Sequence, residues 1–391
     1  MINQFDKFFA DLYSKITRDS EAYFSSYATK SNEASRQFFE KEGPRSPFAL
    51  DRDRILYSGA FRRYSGKTQV IYFASQLDEM LSSRSIHTLS VSQISRTIGK
   101  FLGLNLELIE AIALAHDLGH SPFGHDGERY MSELCKSYGI GEYHHHIQSL
   151  HIVDRVAKKG KGLNLTLQVR DGILSHDGEV HKQKLQPDTG KTNQDLMTYV
   201  ELRNKGKYID MMPRTMEGCV VRITDTIAYI GQDIEDAIRI GLIKRHEIPK
   251  EITDSIGSTN GEIIDTLVKD VVINSYDKPF VSFSDQISDQ LQILKKFNYE
   301  RIYLSKHLKT DHKKIELGFK LLFELFMEDL EKQNRDSLIY RDFLIPKDPK
   351  YLESTSNAIR VRDFIGGMTD RYFVEALKNL VIPEMKLFLV Q

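Results

Sequence analysis

His87, His116, Asp117 and Asp225 are the residues of this chain whose types and placement could hold a divalent cation. His87 keeps helical step with Val91, Ile94, Ile98, Phe101 and Leu102, so it points inward with an apolar stripe. His116 ends a second stripe, Leu108, Ile109, Ile112 and Ala113, and Asp117 follows it just before Gly119 stops the helix. Unpaired polar groups are costly at a buried helix end. An ionised carboxylate beside neutral imidazoles offsets that cost when a transition metal binds them together. Asp225 lies on an otherwise apolar helix, MEGCVVRITDTIAYIGQDIEDAIRIGLI, and completes a set of two histidines and two aspartates that leaves positions for water and substrate. Tyr229 and Asp233 follow Asp225 at helical spacing and would line the space beside the ion. The His-Asp pair alone is a weak signal, since it recurs at His125-Asp126 and His176-Asp177. Context singles out His116-Asp117: it ends an apolar helix that directly follows one carrying an inward histidine.

Two further groups belong to the same chemistry. Arg84 precedes His87 by one helical step, and Arg52, Arg54, Arg62, Arg63 and Lys67 gather ahead of it. Arginine grips phosphate through paired hydrogen bonds, so the cluster favours an anionic, phosphate-bearing ligand. After the turn at Pro122 and Gly124, His125 and Glu128 stand one helical turn apart. A carboxylate at that spacing can orient the imidazole and raise its basicity, as a proton donor or acceptor requires. The run YHHHIQSLH leads into an apolar helix, and one of its histidines is expected to face the site.

The elements that must position these groups read as helices throughout, with few strand signals and no internal repeat. Asn105 is placed to cap the second metal-bearing helix. Residues 1–45 read as a polar helical arm, 46–240 as the catalytic core and 241–391 as a helical region packing on it. The stretch from His176 to Tyr208 is polar and without clear period, and reads as a long surface excursion. The last segment, IRVRDFIGGMTDRYFVEAL, places Arg360, Arg362 and Arg371 around a Gly-Gly-Met turn and is expected to pack back near the site. With 54 Lys and Arg against 55 Asp and Glu, net charge −1 demands no nucleic acid or acidic membrane as partner. No apolar run is long enough to span a bilayer, no export signal is evident, and the expected location is the cytoplasm. Cys135 and Cys219, far apart, fit a reducing compartment and exclude a disulfide framework or zinc ribbon.

Five blocks in order, FRRYSGKTQV, RSIH through HDLGHSPFGHDGE, YHHHIQSL, TDTIAYIGQDIEDA and DFIGGMTDRY, resemble the signatures of the HD-domain deoxynucleoside triphosphate triphosphohydrolases, the dGTPase family. The resemblance implies an all-α HD core elaborated by helices at both ends. It implies metal ligands at His87, His116, Asp117 and Asp225, the set reached from helix faces. Catalytic roles would fall on His125 with Glu128 and on His145, the α-phosphate on Arg84, sugar stacking on Tyr229, the 3'-hydroxyl on Asp233, and base and sugar contacts on Gln69 and Val70. His146 departs from the family, which commonly shows Asn there. The implied activity is hydrolysis of a dNTP, dGTP foremost, at the α-phosphate, giving deoxynucleoside and intact triphosphate. One divalent ion per site is implied, Mn2+ or Mg2+, with Fe, Co, Ni and Zn as alternatives, as is a homo-oligomer of hexamer or tetramer type; the sequence leaves open whether a dNTP acts as allosteric activator, and its lysines and arginines could form a surface path for single-stranded DNA. The competing readings are another HD-superfamily phosphohydrolase, such as a nucleotidase or phosphodiesterase, and a nucleotide sensor or nucleic-acid-binding protein on the same fold. A sensor would lack a ligand or the His-Glu pair, and both are retained.

Overall fold

The computed structural model describes residues 2–40, 43, 45–72, 78, 80–178, 180, 184–305 and 311–382. Helix α1 spans Ile2–Glu21, α2 Pro47–Leu56, α3 Arg84–Phe101, α4 Leu106–Ala115, α5 Gly124–Ser137 and α6 His145–His151. Then come α7 Leu167–Ser175, α8 Asn193–Asn204, α9 Met216–Ile230 and α10 Gln232–Arg239. The C-terminal part contributes α11 Asn260–Ser275, α12 Asp285–Asn298, α13 His312–Glu331, α14 Asn357–Gly366 and α15 Asp370–Val381. Among the described residues there are three isolated bridges and no strand, so the fold is all-α.

The core is built on α3, α4, α7 and α9, which pack on one another, with α2 covering α4 and α6 against α7. Asn105 caps α4 through hydrogen bonds from the Glu107 and Leu108 amides, at 3.1 and 3.3 Å, and Thr215 caps α9 by accepting from Gly218. Leu108, Ile109 and Ile112 of α4 are fully buried, which stabilises the packing by roughly 1.5–3 kcal/mol each. Phe101, expected to face inward, is instead exposed. It sits at the margin of its stripe in the last turn of α3, where the chain reverses through Gly103 and the buried Leu102 and Leu104 fill the space.

The 176–208 stretch also differs from expectation. His176 is buried at its start, and α8 inserts Leu196 and Tyr199 into the core. A polar sequence hid this because two anchor residues suffice to seat a short helix, and two give no period. The N-terminal arm is helical through Glu21, yet its outer face carries exposed Phe5, Phe8, Phe9, Leu12 and Ile16. Beyond it, Thr29 is tied to the core by the buried Glu217 carboxylate, which accepts from its amide and hydroxyl at 2.9 and 2.8 Å. The expected ladder Asp225, Tyr229, Asp233 spans two helices, since α9 ends at Ile230 and α10 begins at Gln232. Gly231 lies between them, where a Cβ would meet Asn260 Oδ1 at 2.6 Å.

Candidate active site and metal centre

Helices α3, α4 and α9 bring His87, His116, Asp117 and Asp225 to one point. His87 Nε2 lies 2.9 Å from Asp225 Oδ1, and His116 Nε2 lies 3.4 Å from Asp117 Oδ2 and 3.7 Å from Asp225 Oδ1. His116 Nδ1 donates to the Ala113 carbonyl at 2.7 Å. That bond fixes the tautomer and leaves Nε2 as a bare lone pair, fully buried and without a hydrogen-bond partner among the described residues. An orphaned imidazole nitrogen aimed between two carboxylates suits a divalent cation. Without one, the same field attracts a proton: burial opposes charging the ring, but Asp117 and Asp225 raise His116 to about 10. Both carboxyls are held well below the usual range, against the effect of burial, by the surrounding cationic groups, His116 foremost for Asp117 and hydrogen bonds from His116 and His87 for Asp225. The donor set fits the cation read from the sequence.

His87, Asp117 and Asp225 open on a cavity of about 550 Å3 whose lining also includes Gln69, Val70, Arg84, His125, His145, Tyr229 and Asp233. Arg84 is 2% exposed, with its guanidinium on Asp117 and its Nε donating to the Thr68 carbonyl at 3.3 Å. The rest of the expected basic cluster is engaged elsewhere or lies outside the lining. Arg52 pairs with Asp53 and Glu110, Arg54 with Glu40, and buried Lys67 donates to the carbonyls of His120 and Gly366. Clustering in sequence did not translate into convergence in space, because successive turns aim these side chains in different directions.

Glu128 serves a different partner than its helical spacing implied. Its carboxylate accepts from the His145 amide at 2.8 Å and from His145 Nδ1 at 3.1 and 3.2 Å, whereas His125 Nδ1 is 3.6 Å away on a ring 78% exposed. Burial works against a charged His145, but Glu128 raises it to about 9. The pair forms across helices because α6 comes very close to the turn after Asp117. A Cβ on Gly119 would lie 2.1 Å from the His145 carbonyl oxygen and 2.3 Å from the Ser149 nitrogen. Only glycine permits that approach. His145 is the member of the histidine run that reaches the site, stacked on His120 at 4.2 Å between ring centroids.

Several lining residues were not singled out from sequence. His120 Nε2 lies 3.1 Å from Asp117 Oδ1 and His176 Nε2 lies 3.6 Å from the same oxygen, with Asp177, Lys295 and Tyr303 also on the wall. His120 had a signal, one turn beyond Asp117. His176-Asp177 repeated the His-Asp pair, but its surroundings were polar, whereas Lys295 and Tyr303 had no signal that singles them out. Asp233 accepts from the Tyr303 hydroxyl; burial, with Asp236 and Asp225 nearby, pushes its carboxyl up to about 7.

The C-terminal block does pack behind this wall, with the carboxylates of Asp370 and Asp363 making the contacts. Asp370 accepts from the Thr68 hydroxyl and, at 3.0 Å, from the amide of Phe123, a residue held at φ 61°. Asp363 accepts from Gln148 and His151 of α6, from Tyr351 and from Arg362, while Arg360 donates to the Leu352 carbonyl.

Residues 84–230 match the HD domain family and residues 281–379 the phosphohydrolase-associated domain family. A deoxyguanosinetriphosphate triphosphohydrolase-like protein of Caldanaerobacter subterraneus subsp. tengcongensis is 38% identical over 372 residues, covering 94% of this chain and 96% of that one. Proteins of the same description from Clostridium perfringens and Desulfatibacillum aliphaticivorans are 36% identical over 354 residues, covering 89% and 91%, and 33% identical over 345 residues, covering 87% and 88%. No described helix is long and apolar enough to cross a membrane. With its HD match enclosing the His-Asp centre and its likeness to these relatives running over most of both chains, the protein belongs to the deoxyguanosinetriphosphate triphosphohydrolase-like family of HD-domain phosphohydrolases.

Proposed function

We propose that the protein is a dNTP triphosphohydrolase that cleaves its substrate, dGTP foremost, at the α-phosphate and releases deoxynucleoside and triphosphate. The observation that carries the reading is a set of buried atoms without a hydrogen-bond partner among the described residues, along the wall of one cavity: Gln69 Oε1, His176 Nε2 and Asp233 Oδ1. Buried polar atoms are normally hydrogen-bonded, so three such orphans point to groups that a ligand supplies.

His87, His116, Asp117 and Asp225 would hold the cation. A divalent ion there supplies Lewis-acid polarisation of a phosphate oxygen and a lowered pKa for its water. Arg84, next to Asp117, neutralises charge developing on the α-phosphate. Glu128 keeps His145 protonated and positive toward the phosphates, while the exposed His125 on the rim delivers a proton to the departing 5'-oxygen. Asp233 Oδ1 accepts the 3'-hydroxyl, Gln69 and Val70 contact base and sugar, and Tyr229 packs under the deoxyribose where a 2'-hydroxyl would crowd it.

Anion-exchange analysis of products from dGTP, the other three dNTPs, dNTP mixtures and GTP, in Mn2+ or Mg2+, tests this directly. Deoxynucleoside with intact triphosphate, absent in Asp117→Ala, is the expected result. A monophosphate, stepwise phosphate release, or equal turnover of GTP and dGTP would overturn it.

A further inference from the structure

The metal-binding chemistry does not end at the four residues above. His145, His146 and Asp177 present donor atoms within 4.8 Å of one another. His146 is 1% exposed, and its Nδ1 has no hydrogen-bond partner among the described residues. Its Nε2 is 3.2 Å from the Tyr199 hydroxyl, and Nδ1 faces Asp177 Oδ2 at 3.4 Å. A neutral ring donating from Nε2 to Tyr199 turns an Nδ1 lone pair toward a carboxylate. An outer hydrogen bond of this kind orients an inner ligand in metal sites. Glu128 plays the same part for His145 by holding its Nδ1, which leaves Nε2 as the nitrogen for an ion. Asp177 lines both the main cavity and a neighbouring one of about 480 Å3 that also contains Glu128, His144 and His145. Its side chain is 42% exposed, so an ion on it would keep positions open to solvent or ligand.

We propose that His145, His146 and Asp177 form a second divalent-cation site at the junction of the two cavities. Two imidazoles and one carboxylate with open positions suit Fe2+, Co2+, Ni2+ or Zn2+ better than Mg2+. His145 thus has two states, protonated against Glu128 when this second site is empty and a ligand through its other nitrogen when the ion is bound, and the pH-rate behaviour of His145 belongs to the first. His146 is the residue on which the site depends, since it adds the second imidazole.

Co2+ titration of the chelator-stripped, tag-free chain tests this, with bound metal counted by equilibrium dialysis and elemental analysis and the ligand field followed by visible absorption. Two ions per chain are expected, with Asp225→Ala losing the first. His146→Asn and Asp177→Asn should each weaken the second by at least about tenfold, since loss of a direct ligand exceeds loss of an outer-shell partner. Asp177 is half exposed, so its variant folds even if His146→Asn disturbs α6, and circular dichroism checks both. A single ion bound by the wild type, or two ions bound unchanged by Asp177→Asn, would overturn the proposal. Binding is read without turnover, so the result stands apart from the proposed reaction.

Discussion

Asp363→Asn is the perturbation with the most to reveal about how the site is held. The carboxylate has no exposed side-chain surface and accepts from Gln148 Nε2 at 3.0 Å, His151 Nε2 at 2.8 Å, the Tyr351 hydroxyl at 2.8 Å and Arg362 Nη2 at 2.8 Å. Burial disfavours its charge, but Arg362 and His151 hold the carboxyl well below the usual carboxylate range. An amide of the same shape turns one acceptor into a donor facing other donors and leaves the largely covered Arg362 guanidinium without its counter-charge. Breaking a buried ion pair from one side costs about 3–5 kcal/mol. At roughly 2 °C per kcal/mol for a large domain, Tm should fall by about 6–10 °C in calorimetry at pH 7. The pH dependence follows in sign. A carboxyl whose folded pKa is depressed contributes stability that is fully present above its unfolded value near 4 and is lost as pH falls toward the folded value. The gap between wild type and variant should therefore be steady from about pH 5 to 8 and shrink below about pH 4. A gap under about 2 °C at pH 7, or one that widens on acidification, would refute the assignment of this network as the tie between α14 and α6.

Asp225→Ala should abolish binding at the first cation site, read as metal content after dialysis against a limiting cation. Glu128→Gln should move the alkaline limb of kcat, set by His145 near 9, downward by about two units; His145 stays charged below that value and loses its proton above it, so an unmoved limb in a pH-rate series would remove Glu128 from this role. Gly119→Ala places a methyl against the backbone of α6 and should lower activity about a hundredfold through displacement of His145, with Asp117-dependent metal binding retained; wild-type turnover in the variant would show that the close approach is unimportant.

The two histidines of the candidate metal centre were legible in the chain because each belongs to a periodic apolar stripe. His87 keeps step with Val91 and Ile94, and His116 with Ile109 and Ile112, so burying the stripe aims the imidazole. Asn105 before the second stripe marked where it starts, and the cap is present. What periodicity could not decide is which side chains meet across elements. The spacing of His125 and Glu128 was real, yet Glu128 turned to His145, because Gly119 lets α6 close on the turn and the buried partner wins over the exposed one. Arg52 through Lys67 looked like one cluster and dispersed, while His176, in a stretch with no apolar rhythm, was carried to 4.9 Å from the His116 ring. By itself the sequence determined an all-α chain in which His87 and His116 face inward with their apolar stripes, since local spacing sets the direction of a side chain relative to its own helix. The pairing of acids with bases, the wall of the cavity and the second histidine cluster were decided by tertiary structure alone, because they depend on distances between helices that no single stretch of chain encodes.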